Sequence, residues 1–162
     1  GNNQQIIRTI PNTPASIKKG VTAIYFNTNC INKTINQSIL LMKAVGEAVR
    51  VDDEHLMDAY TAVSGSGPAY IFYFVEAIIS AAKEMGINEK NARILAEKTL
   101  IGSAYLLENS QARAQDLRKA VTSPKGTTEA GLNVLMKKDA FFNLTSRAIQ
   151  KAQKRGRELG KS

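Results

Sequence analysis

The chain has 162 residues, 43% of them hydrophobic, and carries a formal net charge of +8 at neutral pH. This length suits one domain of ordinary size with a packed core. Because Cys30 is the only cysteine, the sequence excludes an internal disulfide and a cysteine-based zinc site, and we predict no metal. Tryptophan is absent, which argues against a base-stacking platform. The positive charge favours anionic partners without choosing among nucleic acid, acidic membranes and phosphorylated small molecules.

Short strands come first in the chain. Residues 5–10 and 21–26 lean towards β-branched and aromatic side chains and predict two strands, with a Pro-Asn-Thr-Pro turn between them. A helix is predicted over about 33–45, capped by Asn32 or Thr34, and a third short strand over 47–51. Two or three short strands are only marginally stable alone, so we expect them to belong to a larger sheet.

Beyond residue 51 the pattern is helical. We predict a domain boundary at residue 51, followed by six helices. The first is capped by Asp52, the second starts at Pro68 and the third is capped by Asn88. The other three cover residues 112–120, 127–136 and 140–159. Gly86 is expected to end the second helix in the left-handed conformation.

The second of these helices is apolar on every side. Between residues 69 and 82 the only charged side chain is Glu76. Such a helix must be covered by protein or lipid, and the run is shorter than the roughly 20 residues that a bilayer requires. We therefore predict a subunit interface, with a buried partner for Glu76.

The loop over residues 121–131 is the best candidate for chemistry. Ser123, Thr127 and Thr128 offer hydroxyls, and Gly126 lets a ligand approach the backbone. The loop opens a helix, whose first N–H groups attract a carboxylate or phosphate. An ordinary Ser/Thr-capped turn explains the same residues.

Other chemical signals are weak. His55, the only histidine, sits in an acidic helical turn without an obvious companion ligand, and a solvated surface position explains it better than catalysis. Neither a catalytic triad, nor a carboxylate pair, nor a G-x-G-x-x-G loop can be assembled. The basic residues near the end read as a solvated helix face, with nucleic-acid or membrane binding as the alternative; they are Lys137, Lys138, Arg147, Lys151, Lys154, Arg155, Arg157 and Lys161.

Three segments together resemble the pyrroline-5-carboxylate reductase family. They are RTIPNTPA at 8–15, AVSGSGPAYIF at 62–72 and AVTSPKGTTEAGL at 120–132. The resemblance implies a mainly α fold: a helical-bundle dimerisation domain, similar to the C-terminal domain of 6-phosphogluconate dehydrogenase, preceded by a few strands left from a Rossmann sheet. Residues 1–51 would be the remnant of the nucleotide-binding domain, and 52–162 the helical dimerisation and substrate-binding domain.

The resemblance also assigns roles to residues. Thr128 would be catalytic, hydrogen-bonding the imine nitrogen, and the substrate carboxylate would be held by Ser123, Gly126, Thr127 and Thr128. The cofactor would contact Asn12, Thr13, Pro14, Ser64 and Gly65. Two positions depart from the family: Lys125 stands where glycine is common, and Ala120 where some members have a cofactor-contacting asparagine.

The implied function is reduction of 1-pyrroline-5-carboxylate to L-proline by an oxidoreductase that uses NADPH or NADH. We expect a cytoplasmic homodimer or decamer with no nucleic-acid or membrane partner. Because the chain lacks the dinucleotide loop, we expect it to be inactive alone. The alternatives are a non-catalytic helical oligomerisation module and a basic nucleic-acid-binding protein.

Overall fold

A computed structural model describes residues 3–160, so residues 1, 2, 161 and 162 of the predicted domains, including Lys161 of the basic tail, lie outside it. The fold is mainly helical with one small sheet, as predicted. Strands β1 (Ile7–Ile10), β2 (Gly20–Phe26) and β3 (Gly46–Val51) lie in the order β1-β2-β3. β1 is antiparallel to β2, whereas β2 is parallel to β3.

Helix α1 (Asn32–Lys43) connects the two parallel strands, which require such a crossover. Its predicted cap is wrong: Ile31 occupies the cap position, and no side chain there bonds the free N–H groups. After the helix, Gly46 takes φ +144°, and a Cβ there would lie 1.9 Å from the Gly20 carbonyl oxygen. The start of β3 therefore needs glycine.

The next helical stretch runs without a break through the Ser-Gly-Ser-Gly-Pro motif. It consists of a 3₁₀ turn (Glu54–Leu56), α2 (Met57–Tyr60), a π turn (Thr61–Gly65) and α3 (Gly67–Glu84). Its cap is Asp53, not Asp52: an Asp53 carboxylate oxygen accepts from the His55 N–H at 2.9 Å. The predicted separation into two helices is wrong, because the π turn joins them.

The remaining helices are α4 (Glu89–Asn109), α5 (Ala114–Ala120), α6 (Thr127–Leu135) and α7 (Ala140–Leu159), with a 3₁₀ turn at Lys137–Asp139. The predicted α4 cap is confirmed, since Asn88 Oδ1 accepts from the Asn91 N–H at 3.0 Å. Gly86 has φ +89° and ends α3 as expected. Across this turn Lys83 Nζ donates to Glu89 at 3.0 Å, and that hydrogen bond lowers the pKa of Glu89.

Contacts divide the chain into two compact units. Unit 1 comprises residues 3–70 and 146–160, and unit 2 comprises residues 71–145. The divisions fall inside α3 and α7. The boundary at residue 51, placed from sequence, stays a prediction.

Unit 1 contains a packed apolar core. Ala23, Val51 and Met57 form its buried cluster, and Ile10, Tyr25 and Tyr60 pack against it half-buried. Ile24, on the other face of β2, is fully buried as well. The sheet and α2 are thus fixed by ordinary core packing.

The apolar helix α3 is exposed within the chain, and Val75 and Ala82 are its only buried residues among those described. Phe72 is 60% exposed and Tyr73 73%. The continuous helix Glu54–Glu84 has 31 residues and contains an 18-residue window of mean hydropathy 1.3, so it passes the length and composition test for a membrane span. For the helix as a whole, length therefore does not exclude a bilayer.

Glu76 is exposed and has no bonded partner within residues 3–160, so the buried partner predicted for it is not found in the chain itself. The absence of a membrane partner stays a prediction.

Candidate functional site

The loop between α5 and α6 is shaped by one close contact. The Gly126 N–H donates to the Ser123 carbonyl at 3.1 Å and closes a tight turn. A Cβ on Gly126 would lie 2.8 Å from Ser123 Oγ and 3.1 Å from its carbonyl oxygen. A side chain at this position would crowd Ser123, so glycine favours the close approach that puts the Ser123 hydroxyl at the start of α6.

The start of α6 presents free backbone donors. Gly126 occupies the cap position, and no side chain bonds the first N–H groups. The first intrahelical bond runs from the Ala130 N–H to the Gly126 carbonyl, so the N–H groups of Thr127 and Thr128 have no helical acceptor. Both threonines are exposed in the chain. This combination of free N–H groups, helix dipole and nearby hydroxyls is suited to a carboxylate.

Charges of both signs flank this helix end. Glu129 Oε2 accepts from the Lys125 N–H at 2.8 Å, which places a carboxylate beside the first turn. Lys125 itself has φ 61°, in the left-handed region that favours glycine. The departure from the family's usual glycine therefore falls on a backbone position that still has glycine-like geometry.

A second group of predicted residues lies in unit 1. Asn12 and Ser64 are brought together, because Asn12 Nδ2 donates to the Ser64 carbonyl at 3.2 Å. Gly65 lies beside Ile10, since a Cβ on it would be 3.6 Å from Ile10 Cγ2. Thr13 and Pro14 begin the 3₁₀ turn Thr13–Ile17. The Pro-Asn-Thr-Pro and Ser-Gly-Ser-Gly motifs thus meet in space although 52 residues separate Asn12 from Ser64.

Ser64 lies within the helical stretch and does not cap the start of α3. Its hydroxyl donates to the Tyr60 carbonyl at 2.9 Å, within the helical stretch. The π turn around it was also missed, although one signal was present in the sequence. Pro68 has no N–H, so a regular helix could not complete its hydrogen bonds there. π turns occur frequently at functional positions in helices.

His55 has more charged neighbours than the sequence indicated. It lines an open cleft of about 1010 Å³ in unit 1, together with Asp53, Asp58, Arg8 and Arg157. Within residues 3–160 no group of three or more His, Cys, Asp or Glu side chains has metal-binding geometry. Because both carboxylates and guanidinium groups line the cleft, its charge does not select one class of ligand.

The family model for pyrroline-5-carboxylate reductase dimerisation matches residues 54–159. Pyrroline-5-carboxylate reductase of Pseudomonas aeruginosa is 37% identical over 159 residues, which cover 98% of this chain and 58% of that protein. The Haemophilus influenzae enzyme of the same name is 41% identical over 161 residues, covering 96% and 58%.

Solved structures of enzymes with the same name also match this chain. A pyrroline-5-carboxylate reductase from Coxiella burnetii matches with a TM-score of 0.93 at 36% identity, covering 98% of this chain and 58% of that one. The Plasmodium falciparum pyrroline carboxylate reductase, crystallised with NADP bound, matches with a TM-score of 0.87 at 28% identity, covering 99% and 64%. The chain thus spans a little over half the length of these relatives. On sequence and on structure alike, it belongs to the pyrroline-5-carboxylate reductase family.

Proposed function

We propose that this chain is the helical dimerisation and substrate-binding part of a pyrroline-5-carboxylate reductase, which reduces 1-pyrroline-5-carboxylate to L-proline with NADPH or NADH. The observation that supports this most is the start of α6. There, Ser123 Oγ lies against Gly126, and the N–H groups of Thr127 and Thr128 have no helical acceptor. Within this family, such an arrangement matches the one permanent charge of the substrate, its carboxylate.

Substrate binding follows from this geometry. The carboxylate accepts hydrogen bonds from the Thr127 and Thr128 N–H groups and from the Ser123 hydroxyl, at the positive end of the α6 dipole. The Glu129 carboxylate is engaged by the Lys125 N–H at 2.8 Å. Bound in this way, the pyrroline ring is oriented by its carboxylate.

Thr128 is the residue that we assign to the imine. Its hydroxyl is exposed and has no bonded partner within residues 3–160, so it is free to donate to the imine nitrogen. A hydrogen bond there polarises the C=N bond and orients the nitrogen for protonation as the ring carbon is reduced.

The nicotinamide dinucleotide supplies the hydride when bound. Five residues of unit 1, Asn12, Thr13, Pro14, Ser64 and Gly65, fit its nicotinamide end because they are small or uncharged, and the sequence has no G-x-G-x-x-G loop for the diphosphate. The Asn12–Ser64 contact gathers these residues into one patch. We place the nicotinamide against this patch and most of the dinucleotide site outside the chain.

The enzyme is proposed to be a cytoplasmic homodimer, with a decamer as the possible larger assembly. The exposed apolar side chains of α3 motivate the dimer, because Phe72 and Tyr73 lie outside any core within the chain. A non-catalytic oligomerisation module is the second candidate, and the same exposed helix supports it equally.

Turnover separates these two candidates. We expect the full-length protein that carries this sequence to oxidise NADPH in the presence of pyrroline-5-carboxylate, and this chain alone to show none, because it lacks the diphosphate loop. An inactive full-length protein would favour the oligomerisation module. Robust turnover by the chain alone would contradict the proposed location of the dinucleotide site.

Replacing the proposed catalytic hydroxyl tests the site itself. In the full-length enzyme, Thr128→Ala should reduce kcat about a hundredfold, the usual effect of losing one proton-donating group. Thr128→Ser keeps a hydroxyl and should retain most of the rate. Stopped-flow measurement of NADPH oxidation reports both variants, and an unchanged kcat in Thr128→Ala would remove Thr128 from the mechanism.

A further inference from the structure

The side chain of Asn12 does not do what its position predicts. Asn12 is the cap residue of the 3₁₀ turn Thr13–Ile17, where an asparagine usually bonds the turn's own N–H groups. No such bond is present, and the Ala15 N–H bonds the Asn12 backbone carbonyl instead. The carboxamide is thereby free for bonds to distant parts of the chain.

Two backbone groups use that carboxamide. Oδ1 accepts from the Val21 N–H at 2.9 Å, at the start of β2, and Nδ2 donates to the Ser64 carbonyl at 3.2 Å, in the π turn. Both bonds are partly buried. Asn12 therefore joins three segments: its own loop, the sheet, and the helical stretch that continues into α3.

The Ser64 carbonyl needs this donor because of the proline that follows. In a regular helix it would accept from the N–H four residues on, but that residue is Pro68, which has none. The next N–H, of Ala69, bonds Ser66 instead, and the Ser66 N–H reaches back five residues to Thr61 at 2.9 Å. A partly buried carbonyl without a donor is costly, so a side-chain donor here stabilises the π turn.

We propose that Asn12 is a positioning residue: its carboxamide replaces the donor that Pro68 lacks, and so fixes the π turn and Ser64–Gly65 against the Pro-Asn-Thr-Pro loop. This inference rests on the proposed function, which places the nicotinamide against these two motifs. In this proposal Asn12 does not contact the cofactor itself. Instead, it holds in place the residues that do.

Asn27 provides a matched control. It too is a half-buried asparagine that joins two backbone groups, since its Oδ1 accepts from the Ile6 N–H at 3.0 Å and its Nδ2 donates to the Gln4 carbonyl at 2.9 Å. It lies at the far end of β2, outside both motifs. In either residue, replacement by aspartate keeps the acceptor and removes the donor.

The test compares Asn12→Asp with Asn27→Asp in the full-length enzyme. We expect both to lower the melting temperature, Asn27→Asp by less because its hydrogen bonds are exposed. Only Asn12→Asp should lower kcat, by tenfold or more, because a small misplacement of reacting groups costs about that much or more. KM for the dinucleotide should change by less than threefold. A kcat within twofold of wild type, equal kcat losses in both variants, or a raised dinucleotide KM at unchanged kcat would each overturn the proposal.

A measurement that does not depend on activity completes the test. Hydrogen exchange of peptides covering residues 61–67 should be faster in Asn12→Asp than in wild type and unchanged in Asn27→Asp. Unchanged exchange in Asn12→Asp would show that the carboxamide does not hold the π turn. If wild type fails to reduce pyrroline-5-carboxylate, the proposed function fails, while the exchange result still decides whether Asn12 fixes the turn.

Discussion

The two units of the chain differ in the size of the side chains that they bury fully. Unit 1 covers large side chains by itself, with Ile24, Val51 and Met57 at most 1% exposed. In unit 2 the fully buried residues are Ala92 and Ala96, whereas Phe72, Tyr73, Leu95 and Leu106 remain more than half exposed. Unit 2 buries small alanines and leaves large apolar side chains exposed, which indicates that another protein surface covers them. The dimerisation family model, which matches residues 54–159, covers all of unit 2 together with the adjoining helical parts of unit 1.

The same difference separates the two candidate site regions. The Asn12–Ser64 contact is partly buried and tied to the sheet, so its geometry is fixed inside unit 1. The Ser123–Thr128 loop is mostly exposed in the chain, and its shape depends on local backbone contacts at Gly126 and Lys125. One region is held by tertiary packing and the other by local turn chemistry.

The largest expected effect on assembly comes from placing a charge in the exposed apolar face of unit 2. Phe72→Asp should raise the dissociation constant of the proposed dimer at least about thirtyfold, since central aromatic residues contribute 2 kcal/mol or more to interfaces. Leu41→Asp, on α1 of unit 1 and 65% exposed, is the control and should leave the dimer intact. Sedimentation velocity measures both. Equal weakening by the two variants would remove the distinction between the units.

A core truncation in unit 1 should lower stability by an amount that is independent of protein concentration. Ile24 is 0% exposed, and Ile24→Ala should lower the free energy of unfolding by about 2–5 kcal/mol. Ile71→Ala, on α3 and 47% exposed, should instead give a loss that varies with protein concentration, because folding and assembly are linked there. Denaturation at several concentrations distinguishes them. A concentration-independent loss for Ile71→Ala would contradict an interface on α3.

The smallest expected effect concerns the loop. Lys125 has φ 61°, a left-handed conformation that costs a residue with a side chain about 1–2 kcal/mol and costs glycine nothing. Glycine also makes the unfolded chain more flexible, which offsets about half of that gain. Lys125→Gly should therefore stabilise the protein by about 0.5–1 kcal/mol. Lys119→Gly, inside α5, should destabilise it by about 1 kcal/mol. A lower melting temperature for Lys125→Gly would show that the lysine side chain stabilises the fold by more than its left-handed backbone conformation destabilises it.

Much of the fold could be predicted, because its signals are local. The strands, the Asn88 cap, the left-handed Gly86 and the span of α7 follow from side-chain type and spacing along the chain. The missed features depend on competition between neighbouring groups. Asp53 instead of Asp52 caps the 3₁₀ turn, and Ile31 instead of Asn32 precedes α1, because backbone dihedrals select which residue faces the free N–H groups.

The candidate site divides in the same way. The sequence was sufficient to predict an anion site at the Ser123–Thr128 loop, since a glycine beside hydroxyls at a helix start needs no distant partner. The hydrogen bond from Asn12 Nδ2 to the Ser64 carbonyl could be found only in the tertiary structure. It joins residues 52 positions apart, so it depends on how the sheet packs against the helical stretch. Pro68 marked the need for an outside donor, and the packing of unit 1 determined which residue supplies it.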